Sequence, residues 1–288
     1  MTEPKKTVLI TGGTDGLGKA AGLLFARRGY RVFAAGRSAK KREELERVAL
    51  AERLALHTLE MNVSDDDSVR TAVELVLAQS GAIDVLINNA GVGYLAVVEE
   101  LRMSDFRQQF ETNVFGVLRV TQAVLPHMRQ RRRGRVVMMS SVAGLVSPPT
   151  YGAYSSSKHA VEGLANALRL EMYPFGVEVI LIEPGYITTN FEATVKELME
   201  PYAEQAQAGP YAQIYSGVSA GARRGRHPSR TTPEDCARVI CKAVEALRPK
   251  ARYAVTPLAK WVVFGKRILT DARLDSFLRK KYGISREG

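Results

Sequence analysis

Short, nearly continuous apolar runs alternate with longer amphipathic stretches from one end of this chain to the other. The runs TVLIT (7–11), RVFAAG (31–36), ALHTLEMNV (55–63), DVLINNAG (84–91), RVVMMSS (135–141), VEVILIEPG (177–185) and RYAVTP (252–257) read as strands. Several lack the apolar–polar alternation of a half-exposed strand, as expected where both faces are covered. Between them, residues 17–29, 40–53, 66–80, 104–130, 152–174 and 232–247 read as helices. Thr232 before Pro233, Glu234 and Asp235 is a start signal for the last of these. This order predicts an α/β fold: one doubly wound parallel sheet of about seven strands, right-handed crossovers, and helices on both faces. No linker or repeat divides residues 1–288, so a single domain with a substantial core is expected. Residues 190–230 break the rhythm and read as an inserted lid.

Several function classes drop out early. No apolar run approaches the ~20 residues of a spanning helix, and the strand beginning at Thr7 leaves no room for a signal peptide. Cys236 and Cys241 form no metal-like cluster and read as reduced thiols, so a cytoplasmic protein without a metal is expected. The net charge of +11 is unevenly spread: from Arg248 to Gly288, 11 Lys/Arg face three acidic residues, leaving +8 in the tail. RQRRRGR (129–135) and RRGRHPSR (223–230) are further basic clusters. Both fall in apparent loops without a reader fold, so they read as solvated surface and no nucleic-acid partner is expected.

TGGTDGLG (11–18) follows the first strand and opens the first helix. Glycines 12, 16 and 18 let the backbone turn tightly and approach a pyrophosphate at the helix N-terminus. In GAYSSSKHAVEG (152–163), Tyr154 and Lys158 share a helix face, a spacing that by itself often carries no chemistry. Taken with NNAG (88–91) and Pro184-Gly185, however, the Gly-x-x-x-Gly-x-Gly turn and the Tyr/Lys pair stand in a recognisable order. Over about residues 5–190 the chain resembles the short-chain dehydrogenase/reductase family. SSVAGLVSPPTYGAYSSSKHAVEGLANALRLEM is similar to that family's hydroxysteroid and retinol dehydrogenase branch.

The resemblance implies a Rossmann-type fold and a nicotinamide cofactor held by Gly12, Thr14, Asp15, Gly16, Leu17 and Gly18. It puts Asn62 and Val63 near the adenine, Asn62 standing where relatives commonly carry Asp but retaining an acceptor. Asn89, Ala90 and Gly91 would lie beside the cofactor; Pro184 and Gly185 would shape the nicotinamide-side turn. The Ile187 backbone and Thr189 hydroxyl match the positions that hold the carboxamide. An acidic residue gripping an unphosphorylated ribose should end the second strand. Gly36 stands there instead, followed by Arg37, whose guanidinium suits a 2′-phosphate, with Ser38, Lys40 and Lys41 close by. NADP(H) is therefore the expected cofactor. Asp15 argues the other way, because some NADP-preferring relatives have a basic residue in this loop.

Hydride transfer to a carbonyl leaves an alkoxide that needs a proton, and a free phenol of pKa about 10 is a poor base in the reverse direction. A lysine four residues on favours phenolate. The resemblance makes Tyr154 the general acid/base and Lys158 its partner, both also touching the cofactor through its ribose. It makes Ser141 the carbonyl-orienting hydroxyl, with Ser140 as rival, and Asn113 in ETNVFG a helix-kinking residue holding a relay water. Ser155, Ser156 and Ser157 receive no chemistry. With all four present, an oxidoreductase is preferred over the alternative, a noncatalytic NADP(H)-binding sensor or scaffold.

The segments VGYLAVVE (92–99) and GLVSPPTY (144–151) follow strands at the sheet's ligand-binding edge. With Phe191, Met199, Tyr202, Tyr211, Ile214 and Tyr215 of the lid they suggest a hydrophobic ketone, aldehyde or secondary alcohol of steroid, retinoid or lipid size. The alternative is that the lid aromatics only pack on the domain. In the tail, about 258–282, Leu258, Trp261, Phe264, Ile268 and Leu269 lie near one helical face among lysines and arginines. Such a helix either rests on a membrane surface or caps the protein's own core or a sister subunit. The family commonly assembles through the long helices here at 104–130 and 152–174, so a homodimer or homotetramer is expected.

Overall fold

Seven strands carry the apolar runs: β1 (Thr7–Thr11), β2 (Arg31–Gly36), β3 (Leu56–Glu60), β4 (Val85–Asn88), β5 (Gly134–Met139), β6 (Val177–Glu183) and β7 (Arg252–Ala254). The computed structural model describes residues 6–224 and 231–285. All seven pair in parallel in the order β3-β2-β1-β4-β5-β6-β7. The helices between them are α1 (Gly16–Arg27), α2 (Ala39–Ala51), α3 (Asp66–Ser80), α4 (Met103–Phe110), α5 (Gly116–Gln130) and α6 (Gly152–Met172). The lid holds α7 (Phe191–Met199), α8 (Ala203–Ala208) and α9 (Ala212–Arg224); α10 (Pro233–Glu245) precedes β7, and α11 (Pro257–Ile268) and α12 (Asp271–Tyr282) form the tail.

The continuous apolar runs follow from burial on both faces. Leu9, Phe33 and Leu86 pack with Val73 of α3, Val120 of α5 and Val161 of α6. Their strand neighbours Val8, Ile10, Val32 and Ile87 point the other way, against Phe25 of α1, Leu45 of α2 and Ile240 of α10. Each such side chain taken fully out of water contributes about 1.5–3 kcal/mol. Both cysteines are free and buried in α10, where desolvation pushes each thiol up to about 12.

Several boundaries differ from the sequence expectation. Residues 61–63, 184–185 and 255–257 leave the sheet, so β3, β6 and β7 are shorter than their apolar runs. The expected 104–130 helix is divided by a wide π turn at Glu111–Phe115, an insertion that breaks the regular hydrogen-bond ladder. The tail is two helices: Leu269 and Thr270 are extended (ψ 135° and 156°), and Thr270 heads α12. The 129–135 cluster is stitched to the fold rather than simply solvated. Arg131 and Arg133 both reach Asp84, at 2.9 and 3.4 Å, while Arg132 and Arg135 donate to the carbonyls of Pro174 and Ala246. Of the second basic cluster and of the lid, residues 225–230 lie outside the described residues.

Strand β1 has β2 on one side and β4 on the other, so the chain winds away in two directions from this point. Such a reversal leaves a crevice at the carboxyl ends of the strands. The glycine turn, Arg37, Asn62, Asn89, Ser141 and Pro184 all follow strand ends at that edge.

Candidate active site

The glycine turn is built for close approach. Gly12 and Gly16 have φ of +60° and +50°, which side chains with a Cβ rarely adopt. A methyl at Gly18 would sit 2.3 Å from the Gly12 carbonyl oxygen and 2.6 Å from Asn89 Nδ2, so α1 presses directly on the turn. Asn89 clamps the turn from β4: its Nδ2 donates to the carbonyls of Thr11 (3.1 Å) and Gly12 (3.0 Å). Thr11 Oγ1 accepts the backbone N–H groups of Asn89 and Ala90, each at 3.0 Å. The first N–H groups of α1 face this cradle, a setting that favours an anion.

At the end of β2, Thr14 occupies the space of a side chain at Gly36: a Cβ there would meet Thr14 Oγ1 at 2.4 Å. The neighbouring Arg37 guanidinium lines the same cleft and forms no hydrogen bond or ion pair among the described residues. Asp15 turns out to hold a cation in the loop, for its Oδ2 receives Lys41 Nζ at 2.6 Å. Its Oδ1 caps Gly16 N–H at 2.7 Å and takes Asn190 Nδ2 at 3.0 Å. Burial opposes its ionisation, but Lys41, the Gly16 N–H and Asn190 together hold the carboxyl below the usual range. Asn62 Oδ1 accepts the N–H of Ser64 at 3.2 Å, and the Val63 carbonyl accepts from Arg119. Ile187 is buried, a Cβ at Gly185 would clash with Thr256 Oγ1, and the Pro184 carbonyl accepts Val142 N–H at 3.0 Å. Thr189 reaches across to Gly16, within 3.5 Å of where its Cβ would be, while its hydroxyl accepts Phe191 N–H.

Tyr154 and Lys158 lie in the first turns of α6. Ser141 Oγ accepts the Ala143 N–H at 3.1 Å and stands beside the Tyr154 phenol, whereas Ser140 Oγ is buried with no partner. Burial pushes the phenol up to about 12, and the neighbouring Ser141 hydroxyl only partly offsets it. Lys158 Nζ lies 5.7 Å from the Tyr154 ring centre and donates to the Met139 carbonyl at 2.8 Å. Burial pushes Lys158 down to about 8, against the pull of Glu162 one turn further on. Asn113 sits in the π turn, fully buried. Its Oδ1 accepts Val92 N–H at 2.9 Å, and its Nδ2 donates to the Val92 carbonyl and to Ser157 Oγ at 3.0 and 3.2 Å. One lone pair of Oδ1 stays open. A methyl at Gly91 would lie 3.3 Å from that oxygen and 3.9 Å from Lys158 Nζ, so the missing side chain leaves the space between them.

Three contributors carried no signal by type or spacing. Ser157, assigned no chemistry from sequence, links Asn113 to the Tyr154 carbonyl, to which its hydroxyl donates at 2.7 Å. Gln109 fixes the loop after β4 through Val92 and Tyr94, at 2.7 and 2.8 Å. Asn190 ties the lid to the glycine turn.

The residues singled out from sequence for the cofactor and the chemistry border one cleft of about 2430 Å³, apart from Gly18 and Asn113, which stand behind its wall with Ser157 and Gln109. The lid and tail complete it. Phe191 packs on Tyr154 with ring centres 5.9 Å apart, and Met199, Trp261 and Phe277 line the outer part. Tyr202 and Tyr215 of the lid also line the cleft, and the lid tyrosines are anchored through their hydroxyls. Tyr202 donates to Asp105 and Tyr215 to Glu100, at 2.5 and 2.8 Å, and Tyr211 bonds Glu99, fastening the lid to residues 99–105. Among the described residues no cluster suited to a metal is present, and no helix is long and apolar enough to cross a membrane.

Relatives of known name match this chain along most of its length. The chain is 35% identical to a 3-ketodihydrosphingosine reductase of Bacteroides thetaiotaomicron over 281 residues, covering 96% of this chain and 98% of that one. It is 34% identical to an NADPH-dependent 3-dehydrocapnine reductase of Ornithobacterium rhinotracheale, covering 94% and 95%. A crystal structure of a short-chain dehydrogenase from Streptomyces avermitilis superposes with a TM-score of 0.76 at 27% identity, covering 99% of this chain and 100% of that one. The short chain dehydrogenase family model matches residues 6–200, the span that holds the glycine turn, Asn113, Ser141 and the Tyr154/Lys158 pair. With relatives a third identical over almost their whole length, and the family model matching residues 6–200, this chain belongs to the short-chain dehydrogenase family of oxidoreductases.

Proposed function

We propose that the protein is an NADP(H)-dependent oxidoreductase acting on a hydrophobic ketone, aldehyde or secondary alcohol. The observation that carries this reading is the meeting of the Ser141 hydroxyl, the Tyr154 phenol and Lys158 on the wall of the cleft that also holds the glycine cradle. The residues present fit a dinucleotide: Gly12, Gly16 and Gly18 leave backbone free for a pyrophosphate, and Gly91 leaves room beside Lys158. Arg37, with its guanidinium unengaged, and the Lys41 amine held by Asp15 supply positive charge for a 2′-phosphate. The NADPH-dependent relative favours the same choice.

When bound, NADPH supplies the hydride. Ser141 orients the carbonyl oxygen and stabilises its developing charge. Tyr154, protonated across the neutral range, gives that oxygen its proton, and protonated Lys158 stabilises the phenolate left behind. Asn113, through the open lone pair of Oδ1, is positioned for a water that returns a proton toward Lys158. A cleft of about 2430 Å³ exceeds the ~300–1,000 Å³ of ordinary ligand pockets, leaving space for a lipid-sized substrate beside the cofactor. Tyr154→Phe tests the reading: it should retain NADPH binding and lose about 10²–10⁴-fold in turnover of a hydrophobic ketone. Near-normal turnover would remove Tyr154 from its role.

Two associations belong to the same reading. Trp261, Phe264, Ile268 and Phe277 are 55–72% exposed on α11 and α12 amid the tail's excess of Lys/Arg, which suits peripheral contact with an anionic membrane. Exposed Phe115 and Leu170, beside α5 and on α6, suit a homo-oligomeric interface.

A further inference from the structure

Glu192 stands in the first turn of α7 and lines the cleft, and its Oε1 is buried without a hydrogen-bond partner. Leaving a carboxylate oxygen out of water with no donor is costly unless something arrives to pair with it. The other carboxylates of the cleft are accounted for. Asp15 is held by Lys41 and Asn190, and Glu197 and Glu200 are exposed to solvent. No ion pair joins a lysine of the cleft to Glu192 among the described residues. Lys41 pairs with Asp15, Lys158 bonds the Met139 carbonyl, Lys266 pairs with Asp271, Lys281 lies over the Tyr282 ring, and Lys196, one turn on in α7, forms no ion pair among them. The position of Glu192 is close to the chemistry. Its chain neighbour Phe191 packs on Tyr154 at 5.9 Å, and its charge bears on Tyr151, whose ring centre lies 6.4 Å from that of Tyr154.

We propose that Glu192 receives a cationic amine carried by the substrate near its carbonyl, so that the substrate is a long-chain amino ketone. An ammonium brings the donors that Oε1 lacks, and the apolar outer cleft, with Met199, Trp261 and Phe277, takes the chain. The inference rests on the reductase reading for the reaction itself. The carbonyl carbon gains a hydride from NADPH, its oxygen gains the Tyr154 proton, and the C–N bond and the ammonium charge are unchanged.

The test compares wild type with Glu192→Gln, using a twelve-carbon amino ketone and 2-dodecanone with NADPH, and calorimetry of dodecylamine against dodecanol. A hydrogen bond between charged partners corresponds to about ten- to a hundredfold in affinity. The variant should raise KM for the amino ketone by that factor beyond any change for 2-dodecanone, with kcat little altered, and Glu192→Asp should restore part of it. Dodecylamine binding should fall by the same factor while dodecanol binding stays. Equal effects on both ketones, or equal binding of amine and alcohol by wild type, would overturn the amine site. If wild type reduces neither ketone yet binds dodecylamine through Glu192, the reductase reading fails and the amine site stands.

Discussion

Substituting Gly18 by alanine probes the cofactor cradle most sharply. The new methyl would lie 2.3 Å from the Gly12 oxygen, 2.6 Å from Asn89 Nδ2 and 2.9 Å from the Gly12 carbonyl carbon. Backbone stands on two of those three sides, so the turn has to shift away from Asn89. The shift loosens the two hydrogen bonds that Asn89 Nδ2 makes at 3.1 and 3.0 Å, each contributing about 0.5–1.5 kcal/mol. Residual crowding costs about 1–3 kcal/mol, and alanine's better helix propensity returns up to about 1 kcal/mol. The net cost is roughly 2 kcal/mol. Because the cradle must regain its shape to hold a pyrophosphate, we expect it as an approximately 30-fold weaker NADPH Kd by fluorescence titration. Gly163→Ala is the control: the site lies within α6 with nothing within 4 Å of the new methyl. It should stabilise by about 0.5–1 kcal/mol in thermal unfolding and leave Kd alone. Wild-type affinity and melting in Gly18→Ala would refute the reasoning.

Two other outcomes follow from the charges. The phenol, pushed up to about 12, stays protonated through pH 10, so any fall in reductase kcat/KM near pH 8 belongs to Lys158 losing its charge; a profile flat to pH 10 would remove Lys158 from the mechanism. Trp261→Ser with Phe264→Ser replaces two exposed rings and should reduce flotation with phosphatidylserine vesicles at least tenfold while leaving binding to neutral vesicles low; unchanged flotation would defeat the membrane contact.

What the sequence revealed was whatever local spacing carries. β1, β2 and β4 could be read because strands buried on both faces need apolar residues at every position, as Val8, Leu9 and Ile10 show. The glycine turn and the Tyr154/Lys158 pair are also short-range patterns. Other features depend on partners distant in the chain. Asp15 read as an acid without a partner in the cofactor loop because Lys41, which pairs with it, lies 26 residues on. Ser157 looked like filler because its partner Asn113 is 44 residues away. The anchoring of the lid tyrosines was not legible because Glu99, Glu100 and Asp105, which take their hydroxyls, precede them by about a hundred residues. The tail reads as one helix because the apolar face from Leu258 to Leu269 carries no break; the extended Leu269 and Thr270 divide it.

The most direct test of the central claim is a titration with NADPH and NADH, following cofactor fluorescence, in the wild-type protein and in Arg37→Ala. The account predicts tighter binding of NADPH, a preference that collapses by about ten- to a hundredfold in the variant while NADH binding is unchanged. Equal binding of the two cofactors, or a preference for NADH, would contradict it.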